Sequence, residues 1–192
     1  MKVVLGGSRH IQYVPKELVE LMRNWFESEN EFLVGDAPGA DSAFQKVLEK
    51  LNVQAVTVYS SAGYVRNNFG SWPTRKINSA LKSKSNAMHA FKDRVMTAQA
   101  DLGLMLWDCE SAGTLSNVID LVESGKTCKV WVESDAELYT FDNIKSLNSW
   151  LLLYPEVTSE ALRRLKTFRR RELNRKKEVQ PGLFDLGSHA GD

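Results

Sequence analysis

Three short segments combine glycine, small hydroxyl residues and charged residues in a pattern that suits the binding of an anion. They are "GGSRH" at 6–10, "GDAPGAD" at 35–41 and "WDCESAGT" at 107–114. Glycine lets a ligand approach the backbone closely, and backbone N–H groups at the start of a helix attract phosphate. Aspartate accepts hydrogen bonds from sugar hydroxyls, and arginine binds phosphate oxygens in pairs. The chemistry predicted by these segments is the binding of a phosphate or ribose group.

The same segments also have a simple structural interpretation. Glycine can serve the geometry of a turn, and aspartate or serine can cap a helix. Asp41, for example, stands where the helix predicted at 41–51 needs a cap. Neither GxGxxG nor GxxxxGK[ST] occurs, which excludes the dinucleotide fingerprint and the P-loop. Three such loops on one edge of a sheet nevertheless favour a ligand site over three separate turns.

The residues between these segments alternate between two periodicities. Short apolar runs predict strands, and apolar residues spaced three or four apart predict helices. The strands are predicted at 2–7, 31–35, 53–60, 102–107 and 128–133, and the helices at 16–26, 41–51, 87–100 and 115–125. This order predicts an α/β fold with a parallel sheet flanked by helices. Because parallel strands end at one edge of a sheet, the three segments are expected to meet there.

Residues 61–86 interrupt this alternation with glycine, asparagine, serine and scattered basic residues. A connection of this length is commonly functional or mobile. Trp72 within it is predicted to be either a lid residue or a hydrophobic anchor. Tyr59, at the end of the third strand, is predicted to stack on a base. His89, near the start of the helix at 87–100, could face the ligand cleft, but a lone histidine there is more often a surface or capping residue, which is the interpretation we favour.

The C-terminal third is predicted to be a helical extension of a domain that spans 1–135. Apolar spacing predicts a helix over 136–154, which ends at Tyr154-Pro155. A last helix is predicted over 159–177, capped by Thr158 or Ser159. The remaining residues, 178–192, lack periodicity and are predicted to be a disordered tail.

The last predicted helix is strongly basic. Nine of the 25 lysines and arginines and one of the 24 acidic residues lie within 163–177, which leaves a net charge of −7 elsewhere. Such a segment can neutralise nucleic-acid phosphates, or it can dock on the acidic body of its own or a neighbouring subunit. An apolar stripe at Leu162, Leu165 and Phe168 fits docking, and both interpretations stay open. The arginines predicted to contact nucleic acid are Arg163, Arg164, Arg169, Arg170 and Arg171.

The sequence "QPGLF" at 180–184 follows this helix. It resembles the short bacterial peptide that binds the sliding clamp, in which glutamine leads and Leu-Phe fills a pocket. A peptide of this kind binds as an extended segment through a few anchors. The alternative is a tail whose Leu183 and Phe184 pack back on the body of the protein. A sliding clamp is therefore a candidate partner.

The motifs together resemble a known family. "GSR" after the first strand, "GDAPGADSAF" after the second and "MTAQADLGLMLWDCESAGT" later are similar to the SLOG superfamily, the Smf/DprA and LOG group, and most of all to its YspA-like branch. The resemblance covers about residues 1–135. It implies a Rossmann-like sheet, a nucleotide or nucleotide-derived ligand and a homo-oligomer. The site residues that it implies are Gly6, Gly7, Ser8, Arg9, Gly35, Asp36, Gly39, Ala40, Asp41, Ser111, Gly113 and Thr114.

Arg94 and Asp108 join this set as a phosphate ligand and a hydroxyl acceptor. The LOG enzymes cleave the N-glycosidic bond of nucleoside monophosphates, and their pattern has a glutamate after Gly-Thr. Here "GTLSN" places Asn117 at that position. A carboxylate stabilises an oxocarbenium-like centre or activates water, and asparagine does neither. Asp36, Asp93 or Asp108 would have to substitute in an enzyme.

Three hypotheses therefore stand side by side: a sensor or binding module for a nucleotide or nucleotide-sugar ligand, a hydrolase of nucleotide N-glycosidic bonds, and a DNA-associated protein that acts through its basic helix. The three histidines and two cysteines show no ligand spacing, so we expect no metal site and no cofactor. No apolar run approaches the roughly 18–20 residues that span a bilayer. We expect a cytoplasmic protein that does not contact a membrane.

Overall fold

The computed structural model describes residues 1–61, 64–77 and 86–179, without the side chains of 86–88 and 168–179. Strands and helices alternate over most of this length. In chain order they are β1 (Lys2–Gly7), α1 (Lys16–Glu27), β2 (Glu31–Gly35), α2 (Ala40–Lys50), β3 (Val56–Ser60), β4 (Thr74–Lys76), α3 (Asn86–Gln99), β5 (Leu102–Trp107), α4 (Ala112–Glu123), β6 (Thr127–Val132), β7 (Glu137–Phe141), α5 (Ile144–Leu153) and α6 (Pro155–Val179).

The strands form a sheet in the order β4-β3-β2-β1-β5-β6-β7. Every pair is parallel except β6 and β7, which are antiparallel. The predicted Rossmann-like α/β fold is confirmed. From β1 the chain winds outward through β2 to β4, and it returns to the other side of β1 at β5. Ligands of such sheets bind beyond the carboxyl ends of the two strands at this reversal, here β1 and β5.

Helices cover both faces of the sheet, and alternate strand residues point to the two sides. Leu104 and Leu106 of β5 pack in one core cluster with residues of α1 and α2. Met105 and Trp107 of the same strand pack in the other cluster, which contains residues of α3, α4, α5 and α6. Every residue of β5 is buried, as expected for a central strand with helices on both faces.

The helix predicted over 136–154 is wrong in its first part. Residues 137–141 form β7, in which Tyr139 pairs with Val130 of β6. Aromatic and β-branched residues favour an extended backbone, and this segment contains both. The helix α5 begins only after Asn143, whose side chain accepts a hydrogen bond from the Ser146 amide at 3.0 Å. That cap was the missed signal for the helix start.

The long connection after β3 contains a strand that was not predicted, β4. It follows Trp72, which is buried and donates a hydrogen bond from Nε1 to the Val53 carbonyl at 2.8 Å. Trp72 is therefore an anchor for this connection and not a lid residue. The carbonyl of Pro73 accepts a hydrogen bond from the Val58 amide, which extends the pairing with β3. Position 86, the end of the predicted loop, belongs to α3.

The last helix begins at Pro155 rather than at 159, because proline suits the first helical turn. Thr158 is not its cap, since its hydroxyl donates to the carbonyls of Leu151 and Tyr154. Ala161 and Leu165 are buried against the core, so the first half of α6 docks on its own body. Residues 178–179, predicted as tail, are helical. The rest of the tail, with QPGLF, and the side chains of Phe168 and of Arg169, Arg170 and Arg171 lie outside the described residues.

Among the residues that the structure describes, no helix combines the length and the apolar character that crossing a membrane would require.

We expect Leu165→Ala to lower the free energy of unfolding by about 2–4 kcal/mol, because it leaves a cavity where α6 packs on the core. Urea denaturation measures this difference. Lys166→Ala on the exposed side of the same helix is the matched control and should change stability by less than about 0.5 kcal/mol. Equal stability of the two variants would show that α6 is not held by this contact.

Candidate functional site

A cleft with a volume of about 570 Å³ lies at the carboxyl ends of β1 and β5. Its walls are the loop after β1, the turn between β5 and α4, the first turns of α4, and parts of α3 and α6. The sequence predicted seven of its lining residues as ligand contacts, and these are Gly7, Arg9, Arg94, Asp108, Ser111, Gly113 and Thr114. Arg163 and Arg164, which the sequence assigned to nucleic acid, line the same cleft. Predicted residues from four parts of the chain therefore meet in one place.

The turn before α4 presents the amides of that helix to the cleft. The Asp108 carboxylate accepts hydrogen bonds from the amides of Glu110 (3.0 Å) and Ser111 (2.8 Å). The Ser111 hydroxyl caps α4 by accepting from the Thr114 amide at 3.3 Å. In the part of the chain that the structure describes, the amides of Ala112 and Gly113 have no acceptor. Two N–H groups at the positive end of α4 are thus available to an anion.

The loop after β1 is fixed to this turn. Ser8 is fully buried, and its hydroxyl lies 3.3 Å from the Thr114 hydroxyl and accepts from the Asp108 amide at 3.2 Å. Gly7 packs on β5 so closely that a Cβ would lie 2.1 Å from the Leu106 carbonyl oxygen. These contacts place the exposed side chain of Arg9 at the mouth of the cleft. Ser8 therefore positions the loop and does not itself line the cleft.

Asp36, at the end of β2, is occupied by contacts within the protein. Its carboxylate accepts hydrogen bonds from Arg66 Nη2 (2.6 Å) and Nε (3.1 Å), from the Arg66 amide (3.1 Å) and from the Ser60 hydroxyl (2.9 Å). Burial alone would raise the pKa of Asp36, but the hydrogen bonds and charge of Arg66 outweigh it and hold the pKa below its usual value of 3.8. Asp36 thereby fixes the connection after β3 to the sheet.

Asp41 belongs to a second buried charge cluster. Lys92 of α3 places its Nζ 3.7 Å from Asp41 Oδ2 and 3.1 Å from Asp93 Oδ1. Burial raises the pKa of Asp41. Burial alone would lower the pKa of Lys92, but the charges of Asp93 and Asp41 raise it, so Lys92 stays an ammonium ion. The Asp41 carboxylate also accepts from the Ala37 amide at 3.1 Å and makes no cap for α2.

A second, smaller cavity of about 60 Å³ adjoins the cleft above this cluster. Gly6, Asp41 and Lys92 line it, and Arg9, His89 and Asp93 line both cavities. Nothing in the sequence indicated that Lys92 is buried, because a single lysine in a predicted helix is normally interpreted as a surface residue. Its burial follows from the position of α3 over the ends of β1 and β2.

His89 is a cleft residue, and its prediction as a surface or capping residue was wrong. Its Nδ1 lies 2.8 Å from the Ser61 hydroxyl. Burial, and after it the charges of Arg66 and Arg9, lower the pKa of His89 below 6.5. The imidazole is therefore neutral at pH 7. His89 and Asp93 lie one turn apart on α3, and such a pair can accept or transfer protons.

The other predicted site residues lie outside the cleft. A Cβ on Gly35 would fall 2.0 Å from Asp41 Oδ2, so this glycine makes room for that carboxylate. Gly39 has a φ of 85° and packs on the Arg9 backbone, and Ala40 is buried beside it. Tyr59 is 2% exposed, and its hydroxyl donates to Gln99 Oε1 at 2.9 Å. Tyr59 thus has no free ring face for a base.

Several cleft residues were not predicted as ligand contacts from the sequence. They include His10, Glu110, Asn117, Asp120 and Thr167. Asp120 lies on α4 with its Oδ2 3.8 Å from Arg94 Nε, which links α4 to α3 across the cleft. Helical spacing from the capping Ser111 could have indicated Asn117 and Asp120. Thr167 lines the cleft only because α6 crosses α4, and no local sequence pattern indicates that crossing.

We expect Asp36→Asn to lower the free energy of unfolding at pH 7 by about 3 kcal/mol, because it leaves the partly buried Arg66 without its carboxylate. The folded-state pKa of Asp36 lies below the unfolded one, so its contribution is present above 3.8 and is lost as the pH falls through the folded value. The difference in unfolding free energy between the wild type and the variant should therefore narrow as the pH falls from about 5 through the folded-state pKa. Urea denaturation across this range measures it. Glu49→Gln, at an exposed carboxyl on α2, is the control, and a constant difference for Asp36→Asn would contradict the assignment.

We compared the chain with models of protein families, with curated proteins and with solved structures, and none of these comparisons gave a match. The similarity to the SLOG superfamily therefore stays an expectation from the motifs. The structure shows a Rossmann-like fold with a cleft at the reversal of strand order. A helix N-terminus and arginine side chains line this cleft.

Proposed function

We propose that this protein binds a nucleotide or nucleotide-derived ligand in the cleft, with a phosphate on the N-terminus of α4. The observation that carries the proposal is the pair of amides, at Ala112 and Gly113, that have no acceptor among the described residues and border the cleft. A phosphate oxygen accepts hydrogen bonds from such amides and gains from the dipole of the 12-residue helix.

Arg9 supplies the complementary charge. It is exposed at the mouth of the cleft and forms no ion pair with any residue that the structure describes. A guanidinium in this state can bind a phosphate in a bidentate manner without first losing another partner. Gly113 leaves space above the helix, since a Cβ there would have only Ser111 Oγ within 4 Å, at 3.9 Å. The phosphate can therefore approach the backbone directly.

Acceptors for sugar hydroxyls lie beside this phosphate position. Asp93 reaches the cleft from α3, with 28% of its side chain exposed, and Asp108 reaches it from the turn that follows β5. Carboxylates accept hydrogen bonds from the hydroxyls of ribose, as in other nucleotide sites of this architecture. The cleft thus offers donors for a phosphate and acceptors for a sugar.

Hydrolysis of the N-glycosidic bond is the second candidate function, and the observation that favours it is the pair Asp93 and His89. Of the three carboxylates considered from the sequence, Asp36 is buried and held by Nε and Nη2 of Arg66, and one oxygen of Asp108 holds two amides. Asp93 pairs with Lys92 through Oδ1 at 3.1 Å but keeps 28% of its side chain exposed. Asp93 borders both cavities beside a neutral imidazole. A carboxylate there can stabilise positive charge on a sugar ring, and a neutral histidine can take a proton from water.

DNA association stays a proposal for the distal part of the basic helix. Docking of the first half of α6 engages Ala161 and Leu165. Arg169, Arg170 and Arg171 follow this docked part in the sequence. Deletion of 168–192 should abolish salt-sensitive DNA binding if this part is responsible. Binding that survives the deletion would contradict that role.

The test of ligand binding is isothermal titration with a panel of nucleoside monophosphates. We expect Arg9→Ala to weaken the affinity by about tenfold or more, since a charge-assisted hydrogen bond contributes about 1.5–3 kcal/mol. Arg23→Ala removes an exposed arginine on α1 and serves as the matched control. Equal affinity of Arg9→Ala and wild type would contradict the proposed phosphate position.

Incubation with the same nucleotides, followed by chromatography for free base, distinguishes binding from turnover. We expect no release of base, because Asn117 occupies the position where the related enzymes have glutamate. Asp93→Asn is the diagnostic variant, as it removes the carboxylate that borders both cavities. Release of base by the wild type that is lost in Asp93→Asn would contradict the binding-only function and establish the hydrolase.

A further inference from the structure

We propose that α6 completes the ligand site and that Arg163 and Arg164 bind a second phosphate, so the ligand is a diphosphate or longer rather than a monophosphate. This inference rests on the proposed function. It starts from the observation that Arg163, Arg164 and Thr167, from the C-terminal extension, border the same cleft as Gly113 and Arg9.

The docked part of α6 holds these side chains in place. Ala161 and Leu165 are buried in the core cluster that also contains residues of α4. Thr158 is fully buried and bonds to the carbonyls of Leu151 and Tyr154. Thr167 lies four positions after Arg163 and three after Arg164, so its side chain lies on the same side of the helix as theirs. The extension is therefore a fixed wall of the cleft.

Arg164 reaches the turn from which the α4 amides emerge. Its Nη1 lies 3.7 Å from Glu110 Oε2, and Glu110 directly precedes the capping Ser111. Its Nε lies 2.6 Å from Glu160 Oε1, and the same oxygen accepts from Arg163 Nη2 at 2.6 Å. The Arg164 guanidinium thus lies beside the turn that bears the proposed first phosphate site, and Arg163 lines the same cleft.

The acidic partners of these arginines are replaceable. The side chains of Glu110, Glu160, Arg163 and Arg164 are 66%, 36%, 71% and 49% exposed. Ion pairs in such solvent contact contribute little to stability. A phosphate with two or three anionic oxygens binds guanidinium more strongly than an exposed carboxylate does. A second phosphate can therefore take over contacts that Glu110 and Glu160 now make.

Charge and geometry together define the ligand class. The amides of α4 and Arg9 satisfy one phosphate, and a chain that continues from it toward α6 meets Arg163 and Arg164. A monophosphate leaves these groups unused. The site therefore favours a nucleoside diphosphate, or a nucleotide whose diphosphate carries a further group.

The experiment compares AMP with ADP, and phosphate with pyrophosphate, by isothermal titration in buffer with EDTA. The variants are wild type, Arg163→Ala/Arg164→Ala and Lys166→Ala, which removes an exposed charge from the same helix outside the cleft. We expect the wild type and Lys166→Ala to prefer ADP over AMP, and pyrophosphate over phosphate, by about tenfold. The double variant should lose this preference and keep its affinity for AMP.

Three results would overturn the inference: no preference in the wild type, a preference that survives in the double variant, or an equal loss in Lys166→Ala. If the double variant loses AMP and ADP affinity to the same extent, Arg163 and Arg164 contribute only general charge and the inference is also wrong. If neither nucleotides nor the inorganic ions bind to any variant, the proposed function itself fails. Circular dichroism melting of the double variant confirms that α6 stays docked.

Glu110→Gln gives an independent test in the opposite direction. It removes the acidic partner that Arg164 has on the turn before α4, so the second phosphate no longer competes with it. We expect the affinity for ADP to rise severalfold while the affinity for AMP changes less. A fall in ADP affinity would contradict the exchange of Glu110 for phosphate.

Discussion

The close contact between β1 and β5 at their carboxyl ends is the constraint on which the site depends. These strands meet where the winding of the sheet reverses. Gly7 packs so closely on the Leu106 carbonyl that no side chain fits between them. The Ser8 amide then donates to that same carbonyl at 2.8 Å, and the Ser8 hydroxyl contacts Thr114. One packed junction thereby sets the position of the Arg9 loop relative to the N-terminus of α4. A side chain at Gly7 would separate the two halves of the cleft.

Buried charge is the second organising feature, and it lies next to the cleft rather than within the apolar core. Asp36 pairs with Arg66, and Lys92 lies between Asp41 and Asp93. Burying a charged group costs desolvation free energy. Here an oppositely charged partner and hydrogen bonds compensate that cost for each group. Both clusters join the end of β2 to segments distant in the chain. Burial lowers the pKa of His89, and the positive charges of Arg66 and Lys92 in these clusters lower it further.

The fold could be predicted from the sequence because most strands are short apolar runs and most helices are amphipathic. β1, β2 and β5 were predicted at their observed bounds. β7 was missed, because its aromatic residues also happen to fit a helical spacing with α5. Within the site, the residues of the glycine-containing loops after β1 and before α4 were predicted. Lys92, His89 and Thr167 were not, because their roles depend on how α3 and α6 cross the sheet and α4, and no local pattern encodes a crossing.

The uninterrupted course of α6 also sets the distance between its anchor on the core and its described end. The helix is fixed on the core at Leu165 and continues without a break to Val179. At about 1.5 Å per residue, its described end lies about 21 Å along the axis from that anchor. The backbone of the basic segment therefore continues the direction of the docked helix. A macromolecule bound at the far end of this helix would lie at a defined distance and orientation from the cleft. The end of the helix and the cleft could then contact one assembly at two separate points.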